Sequence, residues 1–91
     1  MGLPIEQIQW DEATETHIAR HHVRYSEVAD VCFGAHRLLH TRDGRFQLLG
    51  RTTAGRYLVV VVEETDQPGD FRIVTARDMT PAERRYFSRK R

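Results

Sequence analysis

Apolar residues recur along this chain with two different periods, and the change of period divides it. Val28, Val31 and Cys32 fall on one helical face, with Ser26 placed to cap that helix and Gly34 to stop it after Phe33. Asp11 is placed to cap an earlier helix running to about Arg20 or His21. From Leu38 onward the pattern is that of strands. Leu38 to Thr41 and Phe46 to Arg51 flank Arg42-Asp43-Gly44-Arg45, whose Asp-Gly pair predicts a tight hairpin. Thr53-Ala54-Gly55-Arg56 turns into Tyr57 to Glu64, and the aliphatic run Leu58 to Val62 predicts a central strand covered on both faces. A turn over 66–70 leads to a fourth strand, Phe71 to Ala76. Short connections imply an antiparallel meander with amphipathic helices on at least one face. The expected order is ααββββα, an α+β fold of two N-terminal helices, a four-stranded antiparallel sheet and a C-terminal helix.

That last helix has the sharpest signature. Thr80, Pro81 and Glu83 read as N-cap, first and third helical positions, so Thr80 can bond the Glu83 amide while Glu83 reaches back. A fixed helix start holds Arg77 at the end of the preceding strand. It also sets the phase of Arg84, Arg85, Arg89, Lys90 and Arg91.

Length and composition add bounds. With 91 residues, 40% of them hydrophobic, the chain supports one domain over 1–91 with one modest core. The longest apolar run is strand-sized and the N-terminus lacks a basic segment followed by an apolar one, so the expectation is a soluble, cytoplasmic protein without a membrane span. Cys32 is the single cysteine and reads as a small core residue. Net charge is only +1 but is lopsided: residues 1–35 hold six acidic groups against Arg20 and Arg24, whereas the last sixteen hold six basic groups against Asp78 and Glu83. The basic end suits a polyanion or an acidic partner. Thirteen of the fourteen basic residues are arginine, whose planar fork fits phosphate or carboxylate. His17 and His21 have the four-residue spacing of a metal site, yet no Cys pair, His-Glu-x-x-His motif or third carboxylate accompanies them, so they read as helix-face histidines. No phosphate loop or dinucleotide fingerprint is present, and no cofactor is expected.

Several stretches, taken together, resemble the BrnT family of bacterial toxins over nearly the whole chain. They are Gln9-Trp10-Asp11, His21-His22-Val23 with Ser26-Glu27-Val28-Ala29, Leu49-Gly50-Arg51, Gly55-Arg56-Tyr57-Leu58-Val59-Val60-Val61, and Arg72-Ile73-Val74-Thr75-Ala76-Arg77 followed by Ala82-Glu83-Arg84-Arg85-Tyr86. The resemblance implies a RelE-like fold, RNA cleavage that arrests translation, and a DNA-binding antitoxin as partner. Many members carry Lys-His-Gly-Val where this chain reads His21-His22-Val23, with histidine in place of lysine and no glycine.

Metal-independent RNA cleavage needs a base for the 2′-hydroxyl proton, an acid for the departing 5′-oxygen and positive charge on the phosphorane. Arg77 and Arg51, both at strand ends, are the candidates for the charge. Tyr86, Glu83, His22, His36 and His40 are candidates for proton transfer, and the sequence does not choose among them. Arg84, Arg85 and Arg89 are candidates for binding RNA. Two other readings use the same residues: a non-catalytic RNA- or protein-binding module that keeps the toxin fold, and a domain whose charge asymmetry drives homo-oligomerisation.

Overall fold

A computed structural model describes residues 2–41 and 43–89. Its elements in chain order are β1 (Gln7–Gln9), α1 (Glu12–Ala19), α2 (Tyr25–Phe33), β2 (His36–His40), β3 (Arg45–Arg51), β4 (Tyr57–Glu64), β5 (Asp70–Asp78) and α3 (Pro81–Arg89). The aliphatic strand β4 lies in the middle of the sheet, as its pattern requires. Leu58, Val60 and Val62 are fully buried on one face and Val59 on the other.

The sheet differs from the expected one. It has five strands in the order β1-β5-β4-β3-β2, and β1 runs parallel to β5, pairing Gln7 with Asp70 and Gln9 with Arg72. The four-stranded antiparallel meander is therefore corrected to a mixed five-stranded sheet. β1 has three residues and only Ile8 is partly covered, too short for a period to register. A Gln9 side-chain bond to Asp70 Oδ2 at 2.7 Å reinforces the pairing.

One irregularity redirects β5. Val61 faces Thr75 but Val62 faces Ile73, so Val74 is the extra residue of a β-bulge. Strict alternation from Ile73 would put Arg77 on the face of Ile73. Instead Ile73 and Ala76 both enter the main core, and Arg77 pairs with Val59.

The two faces are covered unequally. Ile18 of α1 and Val28, Val31 and Cys32 of α2 join Leu48, Leu58, Val60, Val62, Phe71 and Ile73 in the larger core. Each such aliphatic side chain contributes roughly 1.5–3 kcal/mol by leaving water, so this layer dominates stability. Gly50 of β3 permits the close approach of α2, since a Cβ there would stand 2.9 Å from Val31 Cγ1. Burial pushes the Cys32 thiol up to about 12, as expected of a core residue. On the opposite face the buried hydrophobic residues among those described are Leu49, Val59 and Met79, with Leu39, Tyr57, Val61, Tyr86 and Phe87 partly covered around them.

The helix ends follow local chemistry. Asp11 Oδ1 accepts from the Thr14 amide at 2.7 Å, and α1 runs to Ala19 with Arg20 as its C-cap, close to the expected end. The expected Ser26 cap is corrected. α2 starts at Tyr25 with Arg24 as N-cap, and Glu27 reaches back to the Arg24 amide at 3.0 Å. Gly34 stops α2 with extended rather than left-handed backbone, and the position takes glycine because a Cβ there would lie 2.5 Å from the Asp30 carbonyl oxygen. Gly44 has φ +73, the left-handed backbone of the expected hairpin turn. Arg42, Lys90 and Arg91, expected in that turn and in the basic tail, lie outside the described residues. Among the described residues no helix is long and apolar enough to cross a membrane.

Candidate active site at the end of the central strands

A cleft of ≈ 320 Å³ lies where β4 begins and β5 finishes, and it holds the candidate chemistry. It is lined by Gly55, Arg56, Tyr57, Asp78, Met79 and Arg84. Its rim is a turn: the Thr52 amide donates to the Arg56 carbonyl at 2.8 Å, and Gly55 takes φ +97 to close it. The other wall is the start of α3, where the reciprocal cap forms as expected. The Glu83 amide donates to Thr80 Oγ1 at 3.2 Å and the Thr80 amide to Glu83 Oε1 at 2.8 Å.

Two arginines here are tied to protein. Arg56 donates through Nε to Asp78 Oδ1 at 2.8 Å and through Nη2 to the His21 carbonyl at 3.0 Å. Its Nη1 donates to the His22 carbonyl at 2.6 Å and to Glu27 Oε1 at 3.2 Å. This one side chain joins the α1–α2 connection to the sheet, and its guanidinium holds the Asp78 carboxyl below the usual carboxylate range. Arg77 is the second. Its Nη1 and Nη2 donate to Glu83 Oε1 and Oε2 at 2.7 and 2.9 Å, a fork-to-fork pair. That pair, followed by the Thr80 amide bond, lowers Glu83 to about 2. Arg77 thus stands at the strand end as expected, but with its fork committed to α3.

The other two arginines are differently placed. Arg51 lies with Cζ 5.1 Å from the centroid of the Tyr57 ring, and Arg84 with Cζ 4.2 Å from it. Arg51 makes one long bond, Nε to the Gly55 carbonyl at 3.3 Å. Among the described residues neither has a carboxylate partner within 4.0 Å. The Phe87 ring meets Tyr57 edge-on at 6.0 Å and fixes its tilt. Tyr57 belongs to one of the BrnT-like stretches but is not among the expected site residues. The signal was available in the strand register, which sets Arg51 opposite Tyr57.

The remaining candidates are dispersed. Tyr86 is half-buried against the Leu49–Val59–Met79 cluster, and Arg85 and Arg89 are exposed on α3 without lining the cleft. His36 is consumed elsewhere: its Nε2 accepts from the Leu3 amide at 3.0 Å while Nδ1 faces the Val31 carbonyl at 2.8 Å. His40 stacks edge-on against Phe46 at the far end of the sheet. His17 contacts Thr75 Oγ1 at 3.1 Å and His21 edge-on at 5.9 Å. Only His21 and His22 come near the cleft, through the carbonyls that hold Arg56.

The sequence profile of the BrnT family, described as the ribonuclease toxin of type II toxin–antitoxin systems, matches residues 10–83. The chain belongs to the BrnT family. Its fold is similar to the crystal structure of the Brucella abortus ribonuclease toxin BrnT, with a TM-score of 0.66 and 17% identity, covering 81% of this chain and 96% of that one. No curated protein sequence matches it. The BrnT match spans Arg51, Tyr57, Arg77 and Glu83 and stops just before Arg84.

In this BrnT-family chain His22, between α1 and α2, has φ +59, the left-handed backbone that glycine adopts without strain.

Proposed function

We propose that this chain is an endoribonuclease toxin that binds RNA across the Tyr57 cleft and arrests translation by cutting it, neutralised by a cognate DNA-binding antitoxin. The observation that carries this reading is the pair Arg51 and Arg84, two guanidiniums over the Tyr57 ring that lack a carboxylate partner among the described residues of a BrnT-family chain. In the cut, the 2′-oxygen attacks phosphorus, its proton passes to a base, and the 5′-oxygen leaves with a proton from an acid. The two arginines would neutralise the charge that accumulates on the non-bridging oxygens. Arg77 supports them by holding α3, which carries Arg84, against the sheet. Exposed Arg85 and Arg89 extend the positive surface along α3 and draw RNA in. An antitoxin with an acidic segment over α3 would mask that surface.

The test is induced expression of the wild-type chain and of the Arg51→Ala/Arg84→Ala variant at matched soluble levels, following growth and RNA integrity. Arrest with RNA cleavage for the wild type alone is the expected result. Growth unaffected by either, with RNA bound but uncut by the purified chain, would replace the enzyme with a non-catalytic RNA-binding module.

A further inference from the structure

Resting on the ribonuclease reading, we propose that Tyr57 is a positioning residue: its ring holds Arg51 and Arg84 as a preorganised two-arginine clamp for successive phosphates of one RNA strand. The geometry is specific. Both guanidiniums lie over the same ring, at 5.1 and 4.2 Å from its centroid. An aromatic face attracts a guanidinium as a cation and takes no N–H donor from it, so the donors other than the Arg51 Nε bonded to Gly55 stay free for phosphate oxygens. Two guanidiniums around one ring repel each other, and its π electrons offset that repulsion where, among the described residues, no carboxylate does. The ring is itself fixed, edge-on against Phe87 at 6.0 Å and with the Tyr57 carbonyl accepting from the Met79 amide at 3.1 Å. A carboxylate at this position would also gather the arginines, but it would occupy the donors, as Glu83 does to Arg77. The aromatic ring gathers them without consuming them.

On this reading the ring has a role and the phenol has none. Binding of a 2′-O-methyl RNA oligonucleotide, which cannot be cut through its 2′-oxygen, is measured by anisotropy over a range of salt. Variants are Tyr57→Phe, Tyr57→Leu, Arg51→Ala/Arg84→Ala and the triple combination, each checked for wild-type melting. Removing one arginine–phosphate pairing lowers the log–log salt slope by about 0.7 for a single strand. Tyr57→Phe should keep the wild-type slope and affinity. Tyr57→Leu should weaken binding about tenfold and lower the slope toward that of the double-arginine variant. In the Arg51→Ala/Arg84→Ala background the same substitution should do nothing further. A wild-type slope in Tyr57→Leu, or an undiminished loss in the double-arginine background, overturns the clamp and leaves the ribonuclease reading standing. A wild-type chain that shows the clamp but cuts no natural RNA removes the ribonuclease reading alone, and one that neither binds nor cuts removes both.

Discussion

Arg56 and Arg51 sit on either side of one turn and do opposite things. Arg56 gives its donors to Asp78, Glu27 and two backbone carbonyls, so its charge is spent on joining the α1–α2 connection to the sheet. Arg51, with Arg84, rests on an aromatic ring and keeps its charge available. In a site rich in arginine, what distinguishes a structural guanidinium from a ligand-binding one is therefore the chemistry of its protein partner: an anion satisfies it, whereas a π face orients it.

The contrast can be broken in order of effect. Replacing both Arg51 and Arg84 by alanine should cut RNA cleavage by about a thousandfold while shifting stability by less than about 1 kcal/mol, measured by initial rates and urea denaturation. Sizeable destabilisation would mean that these arginines too are structural. Arg56→Ala should do the reverse and lower stability by about 2 kcal/mol in urea, because the partly buried Glu27 carboxylate and two backbone carbonyls lose a charged donor, the exposed Asp78 adding less. Arg56→Lys should recover less than half, since an ammonium cannot span both Asp78 and the two carbonyls.

Acid sharpens the comparison for Arg77. Glu83 sits at about 2 in the fold against an ordinary 4.5. Its pairing therefore stabilises the protein fully above about pH 4.5 and is lost as pH falls through the folded value. The wild type should lose about 1–2 kcal/mol, after solvent screening, between those limits, and Glu83→Gln should lack that part of the acid profile. Persistence of the full acid loss in Glu83→Gln would place it on other carboxylates. Thr80→Ala should cost about 1 kcal/mol by removing the α3 cap. The smallest effect expected is a gain: His22→Gly should add about 0.5 kcal/mol by relieving left-handed backbone, read as a small rise in melting temperature.

How much of the molecule is legible in its sequence depends on how local the causes are. The bounds of β4, the Gly44 turn and the Thr80–Glu83 cap rest on neighbouring residues and were legible. β1 was not, because three residues carry no period and their partner is distant in the chain. The bulge at Val74 was not, because alternation alone puts Arg77 on the wrong face. Arg77 could be placed at a strand end, but that Glu83 would fill its fork as well as cap the helix depends on how α3 folds back over the sheet. Arg51 and Arg84 could each be named, yet their meeting on Tyr57 required register and helix placement together.

The long-range pairing of β1 has a consequence for the order in which the molecule is assembled. Gln9 and Asp70 meet across 61 residues, whereas β2, β3, β4 and β5 join through short turns, and the cleft is lined from the turn before β4 to α3, with Arg56 held besides by His21, His22 and Glu27. Loop closure over such a span is slow relative to hairpin formation. Closure of β1 onto β5 is therefore expected to follow the hairpins, so shortening that strand should fray the edge along Asp70 to Arg72 first and leave the Arg77 end of β5 paired with Val59.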